Sequence, residues 1–444
     1  MKRCSDSSIP SGAAVRDSGR NCGGFVGEPG DRNGPGLAWA PDVIGQLPRT
    51  VVVLGLVSFL NDTASEMIAP LLPIFLTATL GAGPAVVGLV EGVAEATASL
   101  LKLLSGRLAD RGWNHKGLVL AGYGVSNTAR PLIGLALSWG FVLGLRFLDR
   151  VGKGLRTSPR DALIAAAAAG DRRGRAFGFH RALDNAGAMF GPLLAFGLLS
   201  TGMPMRQVFL GSLAPGAAVL LLLLFGLKHT TPAAPHEAPP AIAWRGLDRR
   251  LRGLVLAAGG MALAAVPEAF LVLWAADRGL RLAWVPLLWA AASGVKALVA
   301  APAGALSDRR GRLPVLVVGW TARVGVLVML AWSGSSPLAV WGWFLAYAAS
   351  LAFTEGAERA LIGDVAPLEQ KATAFGIYHM VVGLAALPGA LLFGALWQWL
   401  GEATAFFSAA GLTLLATLSL LRLATRPEPR RRGGFRRRPP GGGA

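Results

Sequence analysis

The sequence predicts an all-α membrane protein with twelve transmembrane helices in two six-helix bundles. The first observation is composition: of 444 residues, 53% are hydrophobic and only 15% are charged, whereas a soluble domain has roughly 25% charged residues. The second is that apolar segments of about 20 residues, long enough to cross the hydrocarbon core as helices, recur along the chain. The third is an internal repeat, which predicts that the two bundles are related.

Polar segments rich in Gly and Pro divide the chain into five parts. Residues 1–49 predict a disordered cytoplasmic tail, and the basic residues 426–444 predict a second one. The prolines and arginines of residues 229–252 predict a cytoplasmic linker between the N-terminal bundle, 50–228, and the C-terminal bundle, 253–425. The predicted spans are 50–79, 84–106, 117–137, 140–168, 174–199 and 206–227 in the first bundle, and 253–276, 283–306, 314–332, 338–363, 372–397 and 403–424 in the second.

The net charge of +18 is concentrated in loops and at the C-terminal end. The basic turns after the second, fourth and eighth spans hold Arg107, Arg111, Lys116, Arg172, Arg173, Arg175, Arg309, Arg310 and Arg312, whereas the alternate turns hold only Arg206, Arg278 and Arg281. The positive-inside rule explains this distribution better than nucleic-acid binding does. We therefore expect no nucleic-acid partner and predict a multi-pass protein of the bacterial inner membrane with both termini in the cytoplasm.

The internal repeat has a constant shift of 198 residues, as from Gly55 to Gly253. Matching segments are Gly55–Val57 with Gly253–Val255, Gly106–Arg111 with Gly304–Arg309, Ala162–Ile164 with Ala360–Ile362, and Ala176–Gly178 with Ala374–Gly376. Because six helices is an even number, both halves cross the membrane in the same sense. This parallel pseudo-repeat is typical of transporters that bind their substrate between two bundles.

Three motifs resemble those of the major facilitator superfamily. The loops Gly106–Arg111 and Gly304–Arg312 are similar to the family's signature after the second helix and its second copy, although the first copy departs from the pattern after Arg111. Arg150–Gly154 is similar to the family's fourth-helix motif, with Lys153 where Gln is usual. Gly187–Pro192 is similar to the fifth-helix motif of the family's antiporters. The resemblance covers residues 50–425 and implies transport by alternating access.

Acidic residues inside predicted spans are the candidates for proton coupling, because a charge in the membrane is costly and is therefore expected to have a function. Asp62 and Glu66 lie one turn apart on the first span, with no cation close in sequence, and are the first choice. Glu91 and Glu95 on the second span come next.

The fourth span carries an unusual stripe of charge within roughly 140° of arc at 3.6 residues per turn. No lipid-facing helix could hold it, so we expect it to face a water-filled cavity or a gate, where Arg150 and Lys153 contact an anionic group of the substrate or balance the acids. Salt bridges between helices are an equal alternative for Lys102, Asp149, Arg181 and Asp184. The candidates for the substrate cavity are Arg146, Arg150, Lys153, His180, Glu355, Tyr378 and His379.

The gating candidates lie at the predicted cytoplasmic ends of the helices. They are Asp110, Arg111, Asp308, Arg309, Arg160, Asp161, Glu358 and Arg359. The shift of 198 residues relates Arg160 to Glu358 and Asp161 to Arg359, so the charges are exchanged between the halves. In the family these positions approach when the inner gate closes, which predicts reciprocal bridges in the outward-facing state. Pairing within each half is an equal alternative.

Three functions remain open. Export of a small organic solute or drug by proton antiport is favoured by the fifth-helix motif and the acids of the first span. Proton-coupled uptake of an organic anion is favoured by the cationic fourth span, and a sensor without flux is the third alternative. We expect no enzymatic activity, cofactor or metal, since the phosphate-binding loop of an ATP-driven pump, a metal-ligand cluster and a hydrolase elbow are all missing from the sequence. The expected partners are a small-molecule substrate, protons and lipids, and the expected functional unit is a monomer.

Overall fold

The computed structural model describes residues 47–110, 113–168, 173–227, 244, 247–366 and 371–424. The predicted C-terminal tail, nearly all of the N-terminal tail and most of the predicted linker lie outside these residues. Helices begin at Arg49 and at Arg249, so the last residues of the predicted linker are helical.

The described residues are almost entirely helical. The α-helices are α1 (Arg49–Glu66), α2 (Leu72–Ile74), α3 (Pro84–Asp110), α4 (His115–Leu132), α5 (Trp139–Ala167), α6 (Arg173–Ser200), α7 (Met205–Gly211), α8 (Leu213–Gly226), α9 (Arg249–Ala264), α10 (Glu268–Asp277), α11 (Val285–Arg310), α12 (Arg312–Trp332), α13 (Pro337–Val365), α14 (Lys371–Leu400) and α15 (Glu402–Ala424). A π-helical turn, Phe75–Thr79, continues α2, and short 3-10 turns lie at Ile133–Leu135 and Leu282–Trp284. The predicted spans start and end within a few residues of these helices.

The predicted seventh span is interrupted between α9 and α10, just before Glu268. The interruption leaves the N–H and carbonyl groups of Val266 without partners in the helix. The hydroxyl of Tyr347 forms a hydrogen bond with each of them. It donates to the Val266 carbonyl oxygen at 2.9 Å and accepts from the Val266 N–H at 3.1 Å. A buried hydroxyl of this kind is one way in which a membrane protein tolerates a broken helix.

Among the described residues, nine segments are long and apolar enough to cross a membrane. They are Pro84–Gly106, Gly174–Ser200, Met205–Gly226, Arg249–Asp277, Leu282–Arg310, Arg312–Trp332, Pro337–Val365, Ala374–Leu400 and Glu402–Arg422. The other three predicted spans, which correspond to α1 with α2, to α4 and to α5, all belong to the first half. They fall short because the first is broken after Glu66 and all three carry charged residues.

The buried apolar side chains form three clusters, which differ in how many helices they join. The largest joins both halves at the end of the molecule that contains the turns after α2, α6, α10 and α14, and it includes Phe75, Phe209, Phe270 and Phe393. At the opposite end, where α1 begins and α15 ends, each half has a separate cluster, around Leu54 and Tyr123 in the first and around Leu251 and Trp320 in the second. The halves are therefore packed into one core at one end only.

Helices α3 and α14 form the closest contact between the halves, and glycines make it possible. A Cβ atom added to Gly88 would lie 2.3 Å from the Ala390 carbonyl oxygen, and one added to Gly383 would lie 2.2 Å from the Ser99 Cβ. Small residues are the usual means by which membrane helices approach each other this closely.

Candidate functional site

Two carboxyl groups from different helices meet inside the first half. Asp62 on α1 and Asp184 on α6 lie close enough for their carboxyl groups to interact electrostatically. Asn61 Nδ2 donates to Asp62 Oδ1 at 2.9 Å, Ser58 Oγ donates to Asp184 Oδ1 at 2.7 Å, and Arg181 pairs with Asp184 Oδ2 at 3.1 Å. We call Asp62 and Asp184 the carboxyl pair. The first-span acid predicted from the sequence therefore has a partner that the sequence did not reveal.

The packing of α6 on α1 brings these two carboxyl groups together. A Cβ atom added to Gly187 would lie 2.3 Å from the Phe59 carbonyl oxygen, and one added to Gly191 would lie 2.5 Å from that of Thr63. Asp184 lies one turn before Gly187, on the same face of α6. The Gly-x-x-x-Gly spacing thus positions the carboxyl pair as well as the helices.

Glu66 forms a contact between the two halves. Its Oε2 accepts a hydrogen bond of 2.9 Å from Nε1 of Trp289 on α11. The ammonium group of Lys296 lies 5.9 Å from the Trp289 ring centroid and forms an ion pair of 2.5 Å with Glu268, at the start of α10. Trp289 and Lys296 thus connect Glu66 on α1 to Glu268, which follows the break in the seventh span.

A buried ion-pair network lies between α4 and α5. Asp149 is 0% exposed and contacts Arg130 at 2.8 Å, Arg146 at 3.4 Å and Arg150 at 3.8 Å. Arg130 also donates to the side chain of Asn61, at 2.9 Å. The sequence analysis did not select Arg130. Its position one turn after Asn127 and Ser126, on a polar face of the third span, is the signal that could have identified it.

Three of the predicted functional residues, Glu91, Arg146 and Arg150, belong to this network. Glu91 accepts from Arg146 at 3.4 Å, so both serve as partners within the first half, and Arg146 is buried rather than open to a cavity. Arg156 is also buried, where it donates to Ser126 at 2.6 Å and lies 4.5 Å from the ring centroid of Tyr123.

The remaining cations of α3 and α5 face a more open region together with Glu95. Glu95 is exposed, Lys102 and Lys153 are half-buried, and the side chain of Arg150 is 13% exposed. Glu95 interacts electrostatically with all three cations, and Lys153 also interacts with Asp62. Of the predicted cavity residues, Arg150 and Lys153 therefore lie at this surface.

Polar residues on α13 and α14 of the second half face these cations. Glu355 pairs with Arg359 at 2.6 Å, and both side chains are about half exposed. The Tyr378 hydroxyl donates to Glu358 at 2.9 Å. The exposed His379 contacts the Tyr378 ring edge to face and interacts with Lys102 across the seam between the halves. The predicted cavity residues Glu355 and His379 are thus accessible, whereas Tyr378 is buried.

The gating candidates pair within their own halves in this conformation. Arg160 contacts Asp161 at 2.9 Å, and Glu358 and Arg359 have the partners given above. The predicted reciprocal bridges are not formed here. Arg312 joins Asp308 and Asp364 at the end of the molecule where α1 begins, and Arg309 is exposed. The side chain of Asp110 and the whole of Arg111 lie outside the described residues.

The buried side chains of His180 and Arg323 each have a nitrogen atom without a hydrogen-bond partner among the described residues. His180, a predicted cavity residue, is 5% exposed and its Nε2 has no hydrogen-bond partner among the described residues. Arg323 on α12, which the sequence analysis missed, donates to the Thr354 hydroxyl at 2.8 Å and to the Ser350 carbonyl oxygen at 3.0 Å. Both lie inside a half rather than on the seam between the halves.

Comparison with known proteins identifies the family. The model of the Major Facilitator Superfamily matches residues 54–301 and 284–441. The chain belongs to the major facilitator superfamily. An uncharacterised MFS-type transporter of Methanocaldococcus jannaschii is 31% identical over 383 residues, which cover 85% of this chain and 95% of the relative. An uncharacterised protein of Mycobacterium tuberculosis is 32% identical over 368 residues, which cover 79% and 87%.

Solved structures of the superfamily share the fold. A bacterial homolog of the human lysosomal transporter Spinster, in an inward-facing and occupied conformation, has a TM-score of 0.71 at 17% identity and covers 84% of this chain and 96% of its own. The nucleoside transporter NupG has a TM-score of 0.69 at 13% identity, with 85% and 100% covered. This major facilitator superfamily protein is therefore a multi-pass integral membrane transporter of a small-molecule substrate, and not an enzyme.

Proposed function

We propose that this protein is a proton-coupled secondary active transporter that exports a small organic solute or drug by alternating access. It would work as a monomer in the bacterial inner membrane, surrounded by lipid, with twelve transmembrane spans in two bundles related by the parallel pseudo-repeat. Both termini would be cytoplasmic, as the basic loops indicate. The end of the molecule at which the halves have separate cores would then face the cytoplasm, so this conformation would be inward-facing.

The pseudo-repeat is supported by a pair of equivalent glycines. Gly191 and Gly389 are separated by 198 positions, the shift of the sequence repeat. Each packs against the first helix of its own half: added Cβ atoms would lie 2.5 Å from the carbonyl oxygens of Thr63 on α1 and of Leu263 on α9. The two contacts are of the same kind, as expected if both halves derive from one bundle.

The carboxyl pair is the observation that carries proton coupling. Two neighbouring carboxylates repel each other, so the proximity of Asp62 and Asp184 favours a state in which one of them holds a proton. A shared proton between two acids on different helices is lost when the helices move apart or when a cation approaches. The pair can therefore bind a proton in one conformation and release it in another. The antiporter-like motif of α6 packs directly against it, which favours exchange of solute for protons.

The test is flux in proteoliposomes with and without an imposed pH gradient. Solutes released from membrane vesicles that contain the protein would first supply a transported compound. We expect Asp62→Asn and Asp184→Asn to abolish gradient-driven transport while leaving solute exchange in both directions nearly unchanged. Glu402→Gln, which removes an acid at the start of α15 in the second half, is the matched control and should retain coupling. Full pH-dependent flux in both pair variants would refute the assignment.

Uptake of an organic anion by proton symport is the second candidate, because Lys153 interacts with both Glu95 and Asp62. An anion bound at Lys153 would weaken the attraction between that cation and the carboxyl pair, and so favour the protonated pair. The sign of proton linkage separates the candidates. If solute binding takes up a proton in unbuffered solution, the two are transported together; if it releases one, they are exchanged.

A further inference from the structure

Three partly buried cations of α3 and α5 are left without carboxylate partners of their own. Lys102 and Lys153 form no ion pair with the described residues, and the Nε atom of Arg150 has no hydrogen-bond partner there. Arg150 approaches Asp149 only at 3.8 Å, on a carboxylate that already pairs with two other arginines. A partly buried cation without a partner is costly, so the arrangement is incomplete as it stands.

We propose that Lys102, Arg150 and Lys153 form a binding site for an organic solute with two negative charges, and that Glu95 is its resident counter-ion when the site is empty. The inference rests on the proposed function in requiring a transported solute, but it holds for either direction of transport. The charge balance sets the valence. Glu95 interacts with all three cations, and Arg150 also touches the Asp149 network. Counted together, five cations face three carboxylates, which leaves a surplus of two positive charges; they are Lys102, Arg130, Arg146, Arg150 and Lys153 against Glu91, Glu95 and Asp149.

The side-chain chemistry specifies oxyanions. A guanidinium fork matches the geometry of a carboxylate or a phosphate, and two ammonium groups add mobile donors that suit several oxygens. A dicarboxylate and a phosphate monoester both satisfy these donors. A cationic drug would be repelled by the three positive charges, and a neutral sugar would leave them unneutralised.

The site lies where a transporter would bind its solute. Its residues come from α3 and α5 of the first half, while His379 and Arg359 of the second half interact with Lys102 from the opposite side. A solute held there would contact both halves and would feel their movement. Because the cell interior is electrically negative, a dianion at this site would be driven outwards by about 2.3 kcal/mol per charge for each 100 mV, so an anionic solute is compatible with export.

Glu95 has a specific consequence for affinity. Its carboxylate interacts with the same three cations that would bind the solute, and the hydrogen bond that it accepts from Ser99 is long at 3.5 Å. The solute must therefore displace Glu95 from the cations. Glu95→Gln keeps the shape of the side chain but removes this competition, and it should tighten oxyanion binding whereas most substitutions in a binding site weaken it.

The experiment measures binding rather than flux, on the purified full chain in detergent. The probes are succinate for dicarboxylates and glycerol 3-phosphate for phosphate monoesters, with glycerol and choline as uncharged and cationic controls. We expect at least one dianion to bind, as measured by calorimetry and by a raised melting temperature. Glu95→Gln should tighten that binding about tenfold, and Arg150→Gln and Lys153→Gln should weaken it at least tenfold. Arg281→Gln, an exposed cation outside the site, should change nothing.

The charge-conserving Lys153→Arg guards against a variant that fails to fold, because it should retain binding while Lys153→Gln does not. Failure of both dianions to bind the wild-type protein would overturn the proposal. So would equal binding by wild type, Arg150→Gln and Lys153→Gln, or weaker binding by Glu95→Gln. The result is independent of proton coupling: Asp62→Asn should still bind the dianion, so a failed flux test would leave this inference standing, and a failed binding test would leave the carboxyl pair untouched.

Discussion

The two halves of the molecule have matching helices but very different interiors. In the first half, three of the six predicted spans are too charged or too interrupted to count as apolar membrane spans. All six predicted spans of the second half are long and apolar enough to cross a membrane. The buried acids and arginines around Asp149 and the carboxyl pair belong to the first half. Among the described residues, each ion pair of the second half includes a side chain that is at least a quarter exposed; the pairs are Lys296 with Glu268, Arg278 with Glu402, Arg312 with Asp308 and Asp364, and Glu355 with Arg359.

This difference indicates a division of labour. One bundle holds the charged groups in fixed positions, since each arginine of the Asp149 network needs its partners in place. The other half is mainly apolar. It packs against the first half at one end of the molecule, and at the other end its polar residues on α13 and α14 face the first half. The predictions below test this contrast by weakening one half at a time.

The largest effect should come from the centre of the charged interior. Asp149→Asn would leave Arg130 and Arg146 buried with too little negative charge, and we expect the free energy of unfolding to fall by about 3–5 kcal/mol. Titration of the purified protein with SDS would measure it. Glu268→Gln in the second half removes an ion pair that is partly exposed and should cost about 1 kcal/mol or less. Similar losses in the two variants would contradict the contrast between the halves.

The packing of α6 on α1 should give the next largest effect. Gly191→Ala places a Cβ atom 2.5 Å from the Thr63 carbonyl oxygen and should cost about 2 kcal/mol of stability. Transport should fall with it, because the carboxyl pair would separate. Gly197→Ala, in the same helix, meets nothing within 4 Å and is the matched control. Thermal unfolding and flux of both variants would check the prediction, which fails if the two behave alike.

The hydrogen bond between the halves should have a smaller effect on conformation. Trp289→Phe removes the donor to Glu66 and should shift the equilibrium away from this conformation by about tenfold, equivalent to about 1.4 kcal/mol. Distances between spin labels on α5 and α13 would report the populations. Trp332→Phe, an exposed tryptophan of the second half, should leave them unchanged. Equal populations in wild type and Trp289→Phe would show that this contact does not bias the halves.

The smallest effect is expected at the gate. If Arg160 and Glu358 pair across the halves in the opposite conformation, Arg160→Glu should impair transport and the double reversal with Glu358→Arg should restore it. A coupling energy of about 1 kcal/mol is expected from a double-mutant cycle. Because both residues pair within their own halves in this conformation, the absence of coupling would mean that those local contacts are their only role.

The family, the helix positions and the membrane location could be predicted from the sequence because they depend on local hydropathy and on motifs. Helix ends agree to within a few residues at α3, α5 and α13. The break before Glu268 was missed because Tyr347, distant in sequence, supplies the hydrogen bonds that stabilise it. The mean hydropathy of a span cannot reveal a hydrogen-bond partner that is distant in sequence.

The site was only partly predictable for the same reason. Asp62 was selected, but its pairing with Asp184 depends on the angle and depth at which α6 packs on α1. Glu95 was selected as a proton site, yet its surroundings are three cations from two helices, an arrangement that only tertiary packing defines. Arg130 was overlooked because its partner Asp149 lies on a different helix, and only the packing of α4 on α5 brings the two together.

The central claim is that the first half holds a proton on the carboxyl pair, and infrared spectroscopy of the purified protein tests it most directly. A protonated carboxyl group has a carbonyl stretching band distinct from that of a carboxylate. We expect this band at neutral pH in the wild-type protein and in Glu268→Gln, and its loss in Asp62→Asn and in Asp184→Asn. A band that persists unchanged in both pair variants, or that disappears in Glu268→Gln, would place the proton elsewhere and contradict the account.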